Sequence, residues 1–112
     1  MPKVLTDEQL AHWNRDGAVW PIDLLTAEEA AHYTRRFEAL EASMETEAQA
    51  RFRMKAHLPF PWLWDLVMHP RLADAIEDII GPDIVCWGSS FFTKKAHDPR
   101  FISWHQDSTY YG

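Results

Sequence analysis

The hydrophobic periodicity of this chain changes at Gly81-Pro82, and no other feature limits its possible folds as strongly. Before that point, apolar residues return at steps of three and four, the spacing of a helix packed on one side. After it, β-branched and aromatic residues run together with no helical stripe, which is the composition of strands. Helices first and strands last point to an α+β chain or a helical cap on a β-barrel.

The helical part opens with Thr6-x-x-Gln9, the spacing of a capping box, in which two side chains satisfy each other's backbone donors. It predicts a short helix that turns Leu10 and Trp13 inward and stops at Gly17. Residues 18–22 read as extended, and Pro21 makes an edge or irregular strand the better reading. Thr26-x-x-Glu29 repeats the box, and Ala30, Tyr33, Phe37, Leu40 and Met44 follow as one apolar stripe. Packing surface is the simplest role for that stripe. Residues 47–61 read as an irregular loop stiffened by Pro59 and Pro61. Residues 62–68 predict a short helix. Pro70 opens another, with Leu72, Ala75, Ile76, Ile79 and Ile80 as its buried side.

The strand-like part holds two runs, residues 84–93 and residues 101–107, joined by a turn over residues 96–100. His97 in that turn reads as solvated. Residues 108–112 carry no sign of a terminal helix or a polar tail. The chain therefore reads as interrupted, with a bare strand edge at its end.

At 112 residues there is room for one domain at most. The hydrophobic fraction of 46% and the six tryptophans argue against disorder. A net charge of −6 with no basic run argues against nucleic acid and against an anionic membrane surface. Cys86 is the sole cysteine, so no intramolecular disulfide forms, which fits a reducing compartment. No apolar leader opens the chain, and no apolar run is long enough to span a bilayer. A cytoplasmic protein is the expectation.

The chemistry concentrates in Trp104-His105-Gln106-Asp107-Ser108-Thr109-Tyr110. In a strand, residues two apart point to the same face, so His105 and Asp107 can share a cation. An imidazole and a carboxylate are two of the three ligands in the facial triad of non-haem Fe(II) oxygenases. Chance alone yields about half a His-x-Asp per chain of this composition, so a plain polar strand pair is also open. The neighbouring aromatics point to a lined cavity instead of a solvated edge. Were the two strands to pair as a hairpin, Lys94 would lie near the pair, where its ammonium can meet the carboxylate of an acidic co-substrate. The bland alternative is that Lys94 and Lys95 solubilise a turn.

Taken in order, several blocks resemble the phytanoyl-CoA dioxygenase family of Fe(II)/2-oxoglutarate oxygenases. Asp16-Gly17-Ala18-Val19 and Leu24-Leu25-Thr26-Ala27-Glu28-Glu29 are similar to its opening segments. Lys55-Ala56-His57-Leu58, Asp65-Leu66-Val67-Met68-His69-Pro70 and Ile79-Ile80-Gly81-Pro82 follow in family order. Phe92-Thr93-Lys94 and the block around His105 complete the series, the last being the most specific. The likeness covers nearly the whole chain.

This resemblance implies that residues 1–112 are the N-terminal part of one domain, with helices over 1–81 and the first strands of a double-stranded β-helix, or jelly roll, over 82–112. It implies His105 and Asp107 as Fe(II) ligands and Lys94 as a contact for 2-oxoglutarate. His57 matches a recurrent family position that lines the site, and a packed histidine is an equal reading. The implied reaction is hydroxylation of an aliphatic C–H in a small molecule, with 2-oxoglutarate and O2 consumed. Halogenating relatives carry a small residue at the carboxylate position, so Asp107 favours hydroxylation over halogenation. The family's distal histidine ligand and its arginine for the far carboxylate of 2-oxoglutarate have no counterpart in these residues. The 112-residue chain by itself is thus expected to be inactive. An inactive fragment, a non-catalytic interaction module and a purely structural cupin-like module are the alternatives.

Overall fold

A computed structural model describes the backbone of residues 1–111 and the side chains of residues 1–109. The aromatic role read for Tyr110 and the chain end read at Gly112 lie outside the described residues. Six helices follow one another: α1 (Asp7–Asp16), α2 (Ala27–Ala42), α3 (Ala48–Arg51), α4 (Pro61–Val67), α5 (Pro70–Ile80) and α6 (Ser108–Tyr111).

Both capping boxes form as the spacing predicts. The Thr6 hydroxyl accepts the Gln9 N–H at 3.1 Å, and the Gln9 side chain accepts the Thr6 N–H at 2.9 Å. Thr26 and Glu29 do the same at 3.2 and 2.7 Å. Gly17 ends α1 with φ at 70°, a left-handed conformation that glycine adopts without steric cost. Prolines occupy the first positions of α4 and α5, where a missing N–H leaves no intrahelical bond unmade.

The single turn α3 interrupts a stretch that reads as irregular in sequence. Its start is satisfied from a distance: Glu41 Oε1 on α2 accepts the Ala48 N–H at 2.6 Å. No local capping residue announces it. The α6 turn likewise occupies residues that read as having no terminal helix.

Ala56, Trp62 and Leu63 form the buried centre, with Tyr33, Phe37 and Leu40 of α2 and Phe52, Phe60 and Phe91 packed around it. The α2 stripe is therefore packing surface. On α5, Ala75 is buried, but Ile80 is 64% exposed, against the sequence reading. At about 100° per residue, Ile80 lies about 80° round the helix from Leu72, at the edge of the stripe.

The first residues are tied back to α5. Asp78 accepts the backbone N–H groups of Lys3, Val4 and Leu5 at 2.7, 2.8 and 2.9 Å. Those bonds, led by the one from Leu5, hold its carboxyl below the usual carboxylate range. Lys3 adds ion pairs to Asp74 and Glu77 at 3.2 and 2.6 Å.

The expected jelly-roll strands are not formed. Among the described residues there is no strand, sheet or barrel, and residues 84–93 and 101–107 are irregular. The α+β assignment is corrected to an all-helical frame carrying an irregular segment. The physical reason lies in the nature of the two bonding patterns. A helix closes its hydrogen bonds within itself, whereas a strand needs a neighbour to receive them. A β-prone composition records suitability for a pleated surface, not the presence of a partner. The two strand-like runs do not pair with each other here. The fold is correspondingly open: its radius of gyration is 16.1 Å, against about 13 Å for a closed domain of this length.

Candidate functional site

His105 and Asp107 come together without a strand to hold them. Nε2 of His105 lies 3.2 Å from Oδ1 of Asp107, and the side chains are 43% and 76% exposed. Two donors at right angles on a metal, each about 2.1 Å from it, are about 3 Å apart. The observed separation is close to that, and it is equally that of an ordinary His–Asp ion pair.

The imidazole is oriented from its other side. Nδ1 of His105 lies 2.8 Å from the Ser103 carbonyl oxygen. A carbonyl only accepts, so Nδ1 donates to it, and that bond turns Nε2 toward the carboxylate. A shared cation satisfies that arrangement. This donor pair fits a divalent metal with two ligands. Among the described residues no three His, Cys, Asp or Glu side chains gather as a metal site.

The cavity expected around this pair is not built. Trp104 is fully exposed, and Phe101 and Ile102 are 84% and 72% exposed. The aromatic residues next to the pair face outward because no second layer of described residues packs on them. The hairpin that would have placed Lys94 beside the pair is also unformed.

His57 is buried, 5% exposed, between α3 and α4. Its backbone N–H donates to Ser89 Oγ at 3.1 Å, and its Nδ1 lies 2.6 Å from the same oxygen. Its ring also faces that of Trp64, with centroids 6.0 Å apart. One bond away, the Ala56 N–H donates to the Ser89 carbonyl at 3.1 Å. Ser89 therefore fastens the C-terminal segment to the helical frame through consecutive residues.

Lys94 is exposed, at the start of the turn through residues 96 and 97. That turn is held by a brace of four side chains. Arg100 Nε lies 3.0 and 2.8 Å from the two carboxylate oxygens of Asp98, and Arg100 Nη2 also bonds Asp98. The same guanidinium reaches Glu47 through Nη1 and Nη2 at 3.3 and 3.2 Å. Gln49 donates to Glu47 at 2.9 Å and accepts the Thr93 N–H at 3.1 Å. The Arg100 hydrogen bonds bring the Asp98 carboxyl down to about 2. Glu47 is held below the usual range by Gln49 first and Arg100 second.

Ser89, Gln49, Glu47 and Arg100 were not singled out by the sequence. Serine, glutamine and charged residues are common on loops, and the contacts that join these to other parts of the chain span 32 to 53 positions. No local pattern encodes a contact at that distance.

A family model described as phytanoyl-CoA dioxygenase (PhyH) matches residues 13–112, a span that includes His57, Lys94, His105 and Asp107. No curated protein and no solved structure matches the chain. No described helix is long and apolar enough to cross a membrane.

Proposed function

The chain belongs to the phytanoyl-CoA dioxygenase family, an oxygenase family, and on that premise we propose that it carries two metal ligands of an Fe(II)/2-oxoglutarate hydroxylase. The observation that carries the reading is the 3.2 Å separation of His105 Nε2 and Asp107 Oδ1, with the ring oriented by the Ser103 carbonyl. The substrate is a small molecule with an aliphatic C–H.

In this reading His105 offers the Nε2 lone pair and Asp107 an anionic oxygen. The carboxylate also lowers the charge of a bound cation, and the Ser103 carbonyl keeps the ring from turning away. Lys94 supplies an ammonium to a carboxylate of 2-oxoglutarate. Bound Fe(II) supplies the redox chemistry that couples decarboxylation of 2-oxoglutarate, giving succinate and carbon dioxide, to insertion of one oxygen atom of O2 into the C–H bond. Among the described residues no third metal ligand gathers with this pair. Because Asp107 is a carboxylate, the position that a halide would need is filled, and hydroxylation is the outcome.

The test uses the full-length gene product with Fe(II), 2-oxoglutarate and O2, and measures succinate. Asp107→Ala is expected to lower the rate by at least about 100-fold. Unchanged succinate production in that variant would sink the ligand assignment.

A further inference from the structure

We propose that Arg100 is a positioning residue that keeps the Lys94 ammonium open to an acidic ligand, by occupying Asp98, the carboxylate that would otherwise capture it. The inference rests on the reading of Lys94 as a contact for 2-oxoglutarate.

Two cations and two anions crowd this turn. Lys94 and Lys95 begin it, Asp98 closes it, and Glu47 approaches from the end of the α2–α3 connection. The Asp98 carboxyl feels the charge of Lys94, and that of Glu47 feels the charge of Lys95. Each lysine therefore has a carboxylate within electrostatic reach. Yet among the described residues neither lysine makes an ion pair. Arg100 has taken both carboxylates instead.

The reason is geometric. The Asp98 side chain is 9% exposed, so its charge needs close compensation. A guanidinium meets a carboxylate with two parallel N–H groups and keeps further donors for a second acceptor. An ammonium is a point charge and cannot span both. Arg100 also donates its backbone N–H to Asp98 Oδ1 at 2.9 Å, and the Asp98 N–H bonds the Lys95 carbonyl at 3.1 Å, which sets the turn. Without the guanidinium, Asp98 loses its ion pair, and Lys94 is the cation within electrostatic reach. A bound dicarboxylic acid would then compete with Asp98 for that lysine.

The experiment measures kcat and KM for 2-oxoglutarate in the full-length gene product, with the Kd for 2-oxoglutarate from calorimetry as a second readout. Arg100→Ala is expected to raise KM and Kd about tenfold and to leave kcat within about twofold. Adding Asp98→Asn removes the competing charge and should return both constants to within about threefold of the parent. In a Lys94→Ala background, Arg100→Ala should add nothing further, since coupled residues are not additive. Arg100→Lys keeps the charge but loses the fork, gives a smaller rise, and serves if the alanine variant does not fold. The proposal is overturned if Arg100→Ala leaves KM unchanged, if it acts equally without Lys94, or if Asp98→Asn restores nothing. Parent protein that makes no succinate yet binds 2-oxoglutarate refutes the reaction while the Kd comparison still decides the role of Arg100. Parent protein that does not bind 2-oxoglutarate refutes both.

Discussion

Within α1 to α5 the backbone closes its hydrogen bonds turn by turn, whereas residues 82–107 are held to that frame by a few hydrogen bonds and the packing of Phe91. Both parts carry many apolar residues in the sequence but dispose of them differently. Tyr33, Phe37, Leu40 and Phe60 pack on the buried trio of Ala56, Trp62 and Leu63. Val85, Phe92, Phe101 and Ile102 stay between 72% and 84% exposed, and among the described later aromatics Phe91 is the one packed against the core. Its ring lies 5.2 Å from that of Phe37. The difference teaches that an apolar residue contributes only where an element presents it to another. Helices present theirs as soon as they form. Strands do so once a sheet exists.

The comparison breaks first at the core. Trp62→Ala should cost about 3–5 kcal/mol in urea unfolding, because it opens a cavity at the centre of the packed face. A loss below about 1 kcal/mol would mean that the helical half lacks the core described here. Ser89→Ala tests the fastening between the halves. It removes the acceptor of the His57 N–H and should cost about 1–3 kcal/mol. Faster amide exchange at Ala56 and His57 should accompany the loss, and unaltered exchange would show that Ser89 does not hold the segment. Thr26→Ala removes one half of a capping box and should cost about 1 kcal/mol, read as a lower helix content on heating. The smallest effect is expected in the other half. Phe101 is 84% exposed, so Phe101→Ser should change stability by no more than about 0.5 kcal/mol. A cost above about 1 kcal/mol would reveal packing on Phe101 and erase the contrast between the halves.

Much of the helical frame was legible because its signals are local. Thr6 with Gln9, Thr26 with Glu29, Gly17 and Pro70 each act within a turn of their own position, whereas Pro61, read as stiffening a loop, opens α4. The strand reading failed for residues 84–93 and 101–107 because β-branched and aromatic residues report a preference whose fulfilment depends on a neighbour. At the candidate site, the proximity of His105 and Asp107 was read from strand geometry, and the pair meets although that strand is not formed. The attachment of His57 to Ser89 and of Arg100 to Glu47 was not, since each joins distant parts of the chain.

By itself the sequence determined how α1 and α2 are capped, that Pro70 opens α5, and that Tyr33, Phe37 and Leu40 of α2 face inward. These are contacts between positions a few residues apart, where chain geometry permits little else. The tertiary structure decided what was left: that α3 is capped from α2 by Glu41, and that Ser89 secures the segment after α5. It also decided that Arg100, and not a lysine, meets Asp98 and Glu47. Those outcomes turn on which of several chemically similar partners lies within about 3 Å in the folded chain, and composition does not specify that distance.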